Sequence, residues 1–314
     1  MIAKRAILSW QACVALLFAT FAWGAQAAQP ASQKTFASPD AAVAALIEAA
    51  RKNDKTALNT LFGPAGKGLG SGDAVQEKSE RARFVAAYDE KHELKVDGGA
   101  RATLVIGKDD WPFPVPLVKA GEVWKFDATS GKEELLNRRI GRNELQTIQV
   151  LLAITDAQRE YAAVDQDGDG VREYAQKFRS SGKHDGLYWP AKAGEPQSPL
   201  GTLAAGAVRE GYSAKGKEGK PVPYWGYYFR ILKGQGKDAP GGKYSYMAGR
   251  NLIGGFAVVA YPAEYMSSGV KSFMVNHDGV VYEKDLGPKT PRLAAAMTEF
   301  NPGEGWAKAS AESK

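Results

Sequence analysis

EELLNRRIGRNELQTIQVLLAITDAQREYAA, residues 133–163, is the stretch on which the fold turns. Leu135, Leu136, Ile140, Leu145, Ile148, Leu151, Leu152 and Ala162 recur at helical spacing and make one apolar stripe, while charged residues fill the other faces. No proline interrupts the run. The spacing predicts a single helix from Glu133 to about Ala163, spanning roughly 45 Å at 1.5 Å per residue. A stripe of that length needs a sheet to cover it. Gly141 is the weak point of the run, because glycine is a poor helix former, and it marks a candidate junction between two units.

Downstream, the cover is at hand. Tyr224 to Leu232, Phe256 to Tyr261, Val270 to Val275 and Val280 to Glu283 are rich in aromatic and β-branched residues and read as strands. Asn276-His277-Asp278-Gly279 is a turn between the last two. Residues 181–222, rich in Gly, Pro and Lys, read as loop with a short helix near Leu203 to Arg209. Upstream, Ser38-Pro39-Asp40 is a helix start: serine as cap, proline in the first turn, an acid near the positive end. Asp54 caps a second helix and Asp73 to Glu90 form a third. The period then shortens. Leu94 to Val96 with Ala102 to Ile106, and Val115 to Val118 with Val123 to Phe126, are two hairpins. Between them Asp109-Asp110-Trp111-Pro112-Phe113-Pro114 is too proline-rich to donate regularly to a sheet.

The fold class expected is α+β: N-terminal helices with a curved antiparallel sheet, then a long helix packed on a C-terminal antiparallel sheet. The expected division is 1–27 signal peptide, 28–36 disordered leader, 37–130 N-terminal α+β domain, 131–300 long-helix and sheet domain, and 301–314 disordered tail. The leader assignment rests on Lys4 and Arg5, an apolar run from Ala6 to Trp23, and Ala25-Gln26-Ala27 as a small-residue exit. Cleavage there removes Cys13, the single cysteine, so the exported chain has neither disulfide nor thiolate. Loss of Lys4 and Arg5 with no acid takes the formal net charge from +6 to +4. No basic block suited to nucleic acid is present, and no stable membrane span remains after cleavage. The expected localisation is periplasmic or secreted.

The sharpest chemical signal is Asp165-Gln166-Asp167-Gly168-Asp169-Gly170. Carboxylates at alternate positions fall on one side of a tight loop, and glycine permits the bend that brings later ligands round a hard cation. The pattern matches the first half of an EF-hand loop, with Glu173 at the ninth position, but Gln176 stands where a bidentate glutamate closes such loops. Asp165, Asp167, Asp169 and Glu173 are therefore the candidate ligands of a weak calcium site, with a Kd on the order of 0.1–1 mM. The competing reading is an acidic turn whose aspartates cap backbone amides. Catalytic sets do not assemble. His92, His184 and His277 are far apart and lack zinc-type spacing, and the Ser180-Ser181-Gly182 and Ser267-Ser268-Gly269 runs are turns without a nucleophile elbow. Arg138, Arg139 and Arg142 lie at helical spacing and suit either an anion or, the reading preferred, a solvated helix face paired to Glu134 or Glu144. Aromatic rings beside polar groups, at Asp110-Trp111, Tyr188-Trp189 and Trp225, suit sugar or peptide faces. The competing reading is that tryptophans near prolines plug seams.

Several of these segments carry a resemblance. Gly141-Arg142-Asn143-Glu144, the run Tyr161 to Tyr174, Tyr224-Trp225-Gly226-Tyr227-Tyr228-Phe229-Arg230, Ser272-Phe273-Met274-Val275 ahead of Asp278-Gly279, and Asp109 to Pro114 together resemble the bacterial domain of unknown function 2950 family. The resemblance implies no activity. The order of long helix, acidic loop and antiparallel sheet is similar to the head of type IV pilins and type II secretion pseudopilins. The chain departs from those in lacking a prepilin leader and a long apolar N-terminal helix. The first unit is similar in outline to the cone-shaped nuclear-transport-factor-2-like fold, an analogy of fold alone. The function expected is a non-catalytic, exported binding module recognising an envelope protein or a glycan. The alternative is a small-molecule pocket, or modest acid–base (hydrolase-like) chemistry, under the sheet of the N-terminal domain.

Overall fold

Each of the first helices begins where a side-chain oxygen can take up an orphan amide. In the computed structural model, which describes residues 33–67, 69–70, 73–191, 194–210 and 222–309, Ser38 Oγ accepts from Ala41 N at the start of α1 (Pro39–Arg51). Asp54 Oδ1 accepts from Ala57 N at the start of α2 (Lys55–Phe62). Asp73 Oδ1 accepts from Val75 and Gln76 N at the start of α3 (Ala74–Glu90). The expected signal peptide, residues 1–27, lies outside the described residues.

The first sheet follows as the two hairpins predict. Its strands are β1 (His92–Asp97), β2 (Arg101–Ile106), β3 (Trp111–Pro112), β4 (Leu117–Ala120) and β5 (Val123–Phe126), all antiparallel in the order β1-β2-β4-β5 with β3 beside β2. The proline-rich segment does join the sheet, contrary to expectation: Val105 faces Pro112 and Ile106 faces Trp111, and Phe113 N donates to Leu104 O at 2.7 Å. Two residues suffice, because the prolines lie where no ladder donor is required. Ala102, Leu104, Ile106, Leu117, Trp124 and Phe126 pack under α1 and α2 with Ala42, Val43, Leu46, Ile47 and Leu61 as one core.

The end of the expected disordered leader belongs to this core. Phe36 is buried and exchanges two backbone hydrogen bonds with Trp124, at 2.8 and 2.7 Å. Gln33 Nε2 donates to Leu61 O and Phe126 O. Burial of one aromatic ring repays the ordering of these few residues.

The long helix is continuous. α4 runs Ala128–Ala162, 35 residues, five earlier at its start than the stripe alone indicates, because Asp127 caps it through Ser130 N at 3.1 Å. Ile148, Leu151, Ile154, Ala157 and Tyr161, spaced three and four apart, are buried against a second core. After α5 (Gly201–Glu210) come β6 (Tyr227–Leu232), the small pairs β7 (Gly234–Gln235) with β8 (Tyr244–Ser245) and β9 (Met247–Ala248) with β10 (Asn251–Leu252), then β11 (Ala257–Pro262), β12 (Lys271–Asn276) and β13 (Val281–Asp285). α6 (Thr290–Ala296) and β14 (Ala307–Lys308) close the chain. The second sheet is antiparallel in the order β14-β13-β12-β11-β6, and α4 packs on β11, β12 and β13.

Residues 301–309, expected to be part of a disordered tail, are ordered. β14 pairs with β13, Tyr282 facing Lys308 and Glu283 facing Ala307, and the fully buried Phe300 just before it anchors the approach. α6, also unexpected, is tied down by Arg230, whose guanidinium donates to Ala294 O and Met297 O at 2.5 Å each. The architecture is α+β, with two cores served by one helix.

Candidate functional site

The C-terminus of α4 delivers the chain into the acidic loop. Its last buried ring, Tyr161, donates from the hydroxyl to His184 O at 2.8 Å. Burial raises the Tyr161 phenol above its ordinary pKa, and Asp167, Glu173, Asp185 and Asp165 add to the shift. The phenol therefore stays a donor, in a field of carboxylates. Asp165, Asp167 and Asp169 each place one carboxylate oxygen within 4.8 Å of the others, and all three are half-buried. Gly168 and Gly170 take φ of +75° and +87°, the left-handed values that favour glycine.

The loop's backbone is held by its own acids. Asp165 accepts from Gly168 N and Gly170 N, both at 2.9 Å. Asp169 Oδ1 accepts from Val171 N at 2.9 Å, and Oδ2 from Asn251 Nδ2 at 3.0 Å and from Arg250 at 3.3 Å. The Val171 amide is the largest of the effects that hold the Asp169 carboxyl below its ordinary value. The aspartates cap amides, and one carboxylate oxygen of each also converges with the others. Asp167 Oδ1 has the loosest of these bonds, to Asp169 N at 3.4 Å.

Glu173 is not among the converging group. Its Oε2 accepts from Leu252 N at 2.7 Å, and Tyr174 N donates to Leu252 O at 2.8 Å, so Glu173 and its neighbour splice the loop to β10. Gln176 is likewise spent on the turn before β10, donating to Arg250 O and accepting from Lys233, each at 2.7 Å. The candidate cation set therefore narrows to three aspartates.

The aromatic candidates separate. Trp189 is a core residue at 6 % exposure, stacked on His184 with ring centroids 4.2 Å apart. Tyr188 is half-buried, with the Arg179 guanidinium 5.8 Å from its ring centre. Trp111 is 39 % exposed, and the Arg138 guanidinium covers its ring at 4.8 Å. The neighbouring Asp110, at φ +53°, pairs with Lys91 at 2.6 Å. Trp225 is half-buried at the tip of a two-residue turn, with φ of +50°, an unusual conformation for a bulky residue.

Sequence reasoning missed two features. Asp185 gathers Ser181 N at 2.7 Å, Ser180 Oγ, Ser181 Oγ and Lys177 Nζ, and Lys177 above all drives its carboxyl far below the ordinary range. The available signal was an acid four residues after a serine pair in a glycine loop. Arg139, read as solvated, is 5 % exposed and donates to the carbonyls of Leu69 and Gly70. Arg138 does pair with Glu134 as expected. His92 stacks on Tyr88, His184 on Trp189, and His277 meets Tyr246 and Phe256 edge-on, so the histidines occupy three separate places. Two shallow clefts of about 320 and 280 Å³ flank α1 and are lined by Glu48 and Lys52 among others. Neither lies under the first sheet, where the alternative reading put a pocket.

No helix among the described residues is long and apolar enough to cross a membrane. No curated protein and no solved structure matches the chain, so the likeness to pilin and pseudopilin heads is not confirmed. A family model described as protein of unknown function (DUF2950) matches residues 33–309, all but the ends of the sequence. The chain belongs to that family.

Proposed function

We propose that this is an exported, non-catalytic binding module of the cell envelope, whose second core is reinforced by a divalent cation held at Asp165, Asp167 and Asp169. One observation carries the cation reading: three carboxylate oxygens lie within 4.8 Å of one another on a loop already shaped by its own side-chain-to-amide bonds. Like charges that close repel unless something positive neutralises them. Arg250 offers only a long, largely exposed contact to Asp169. A calcium-sized ion fits an all-oxygen set better than magnesium, which demands near-octahedral geometry. With three carboxylates, a glutamine in the closing position and Glu173 engaged elsewhere, the affinity belongs to the weak extracellular class, on the order of 0.1–1 mM.

Export is supported by the charged start, apolar run and small-residue exit of residues 1–27. Binding rather than catalysis is supported by where the reactive groups go: Lys177 and Asp185 spend their charges on each other, and the three histidines sit at three separate stacks. The partner, an envelope protein or a glycan, meets the aromatic residues that keep some accessibility, Trp111 and Trp225.

The test is thermal melting in 10 mM calcium against chelator. At 10 to 100 times Kd the ion adds about 1.4–2.7 kcal/mol. Asp167→Asn, which removes the carboxylate least engaged in the loop's own bonds, should abolish the gain and, by relieving the repulsion among the three acids, should leave the chelated melt no lower than that of the unaltered chain. Equal melting temperatures with calcium and with chelator for the unaltered chain remove the cation from the account.

A further inference from the structure

The middle of α4 carries one side chain bonded to both halves of the molecule. Asn143 is fully buried. Its Nδ2 donates at 2.8 Å to Ser268 O, in the loop between β11 and β12, and its Oδ1 accepts at 2.5 Å from Gln76 Nε2 on α3. A carbonyl can only accept, so the Ser268 contact fixes which end of the amide is which. The turn into β6 closes over the same spot: a Cβ at Gly226 would lie 2.8 Å from both Asn143 Nδ2 and Ser268 Cβ. Gly226 holds φ at +73° there.

The flanking residues of α4 divide by direction. Arg139 reaches the carbonyls of Leu69 and Gly70, and Arg142 pairs with Glu80 of α3 at 2.9 Å. Glu144 Oε1 accepts from Val270 N and Lys271 N, both at 2.9 Å, at the entry to β12. Only two positions away, Gly141 is exposed and has nothing within 4 Å of its Cβ direction, so no neighbour braces that one face of the helix. The arrangement is held at a cost, since Gln76 Oε1 is left buried without a partner.

We infer that Asn143 is a latch that makes the two cores one cooperative unit. A primary amide carries a donor and an acceptor on one rigid group, which is what a bolt between a side-chain amide on one half and a backbone carbonyl on the other requires. Without it, α4 remains a helix but the two cores can open independently. The inference does not depend on the cation reading, since no ligand of that loop is involved.

The test is hydrogen exchange by mass spectrometry on the full chain over a urea series. Peptides covering α1 report the first core and peptides covering β12 the second. In the unaltered chain both should open at one urea midpoint with one slope. In Asn143→Leu, close in shape but without donor or acceptor, the midpoints should separate and each slope should fall, more for the smaller first core, since each core alone exposes only part of the surface. Gln76→Met removes only the first half's partner and should split the midpoints less; it decides the matter if Asn143→Leu fails to fold. Separate midpoints in the unaltered chain, or a variant that loses stability while both cores still open together, overturn the inference.

Discussion

Leu151→Ala tests the register of α4 on the second sheet. Leu151 is 0 % exposed and sits in the core with Phe273, Met274 and Val275 of β12. Leu152, its neighbour in sequence, is half-buried and touches the same core from outside. The substitution removes three carbons, about 2.4 kcal/mol of transfer free energy at about 0.8 per buried group. A cavity term brings the total to about 3–4 kcal/mol, inside the range known for buried leucines. Leu152→Ala, at a site where water and neighbours can fill in, should cost about 1 kcal/mol. In urea denaturation followed by circular dichroism, with a slope of about 3 kcal/mol/M, the midpoint should fall by about 1 M for Leu151→Ala and about 0.3 M for Leu152→Ala. Equal costs, or the reverse order, would mean that a different face of α4 meets the strands.

Two further outcomes follow from close contacts. A Cβ at Gly269 would lie 1.9 Å from the hydroxyl oxygen of Tyr227, a ring that is fully buried and donates to Lys271 O at 2.9 Å; Gly269→Ala should destabilise by about 1–3 kcal/mol through overpacking, and an unchanged urea midpoint would show that the loop before β12 is not seated on that ring. Asp185 has a folded-state pKa below its unfolded value, chiefly because Lys177 donates to it, so its contribution is present above the ordinary carboxylate range and is lost as pH falls through that range toward the folded value. Asp185→Asn should lower stability at neutral pH and flatten the decline below about pH 4; equal slopes of stability against pH in both proteins would contradict the assignment.

Much of the frame was legible because its signals are local. Ser38-Pro39 and Asp54 name their helix starts, the strands of the two hairpins pair as their short period indicates, and the stripe through Ile148 and Leu151 faces the strands that the sequence offers as its cover. What escaped depends on partners distant in sequence. Arg139, Asn143 and Thr147, four apart, form a buried polar stripe, but a stripe of that composition on a helix also describes a solvated face, and only α3 and the 268 loop decide between them. Trp189 beside Pro190 is an aromatic in a loop; its burial is decided by Leu187 and the end of α4. β14 is two residues long and becomes a strand because β13 leaves an edge for it. In the acidic loop the motif located three aspartates, whereas Glu173 was claimed by an amide 79 residues further on.

The account rests on α4 being one unbroken rod that serves both cores. The chain without residues 1–27 has no cysteine, so spin labels can be placed singly by Glu133→Cys and Glu160→Cys, both exposed on α4. Pulsed electron–electron distance measurement should give one narrow distribution near 40 Å, 27 residues at about 1.5 Å each. A distribution centred well below that, or two populations, would show a helix broken near Gly141 and contradict the architecture.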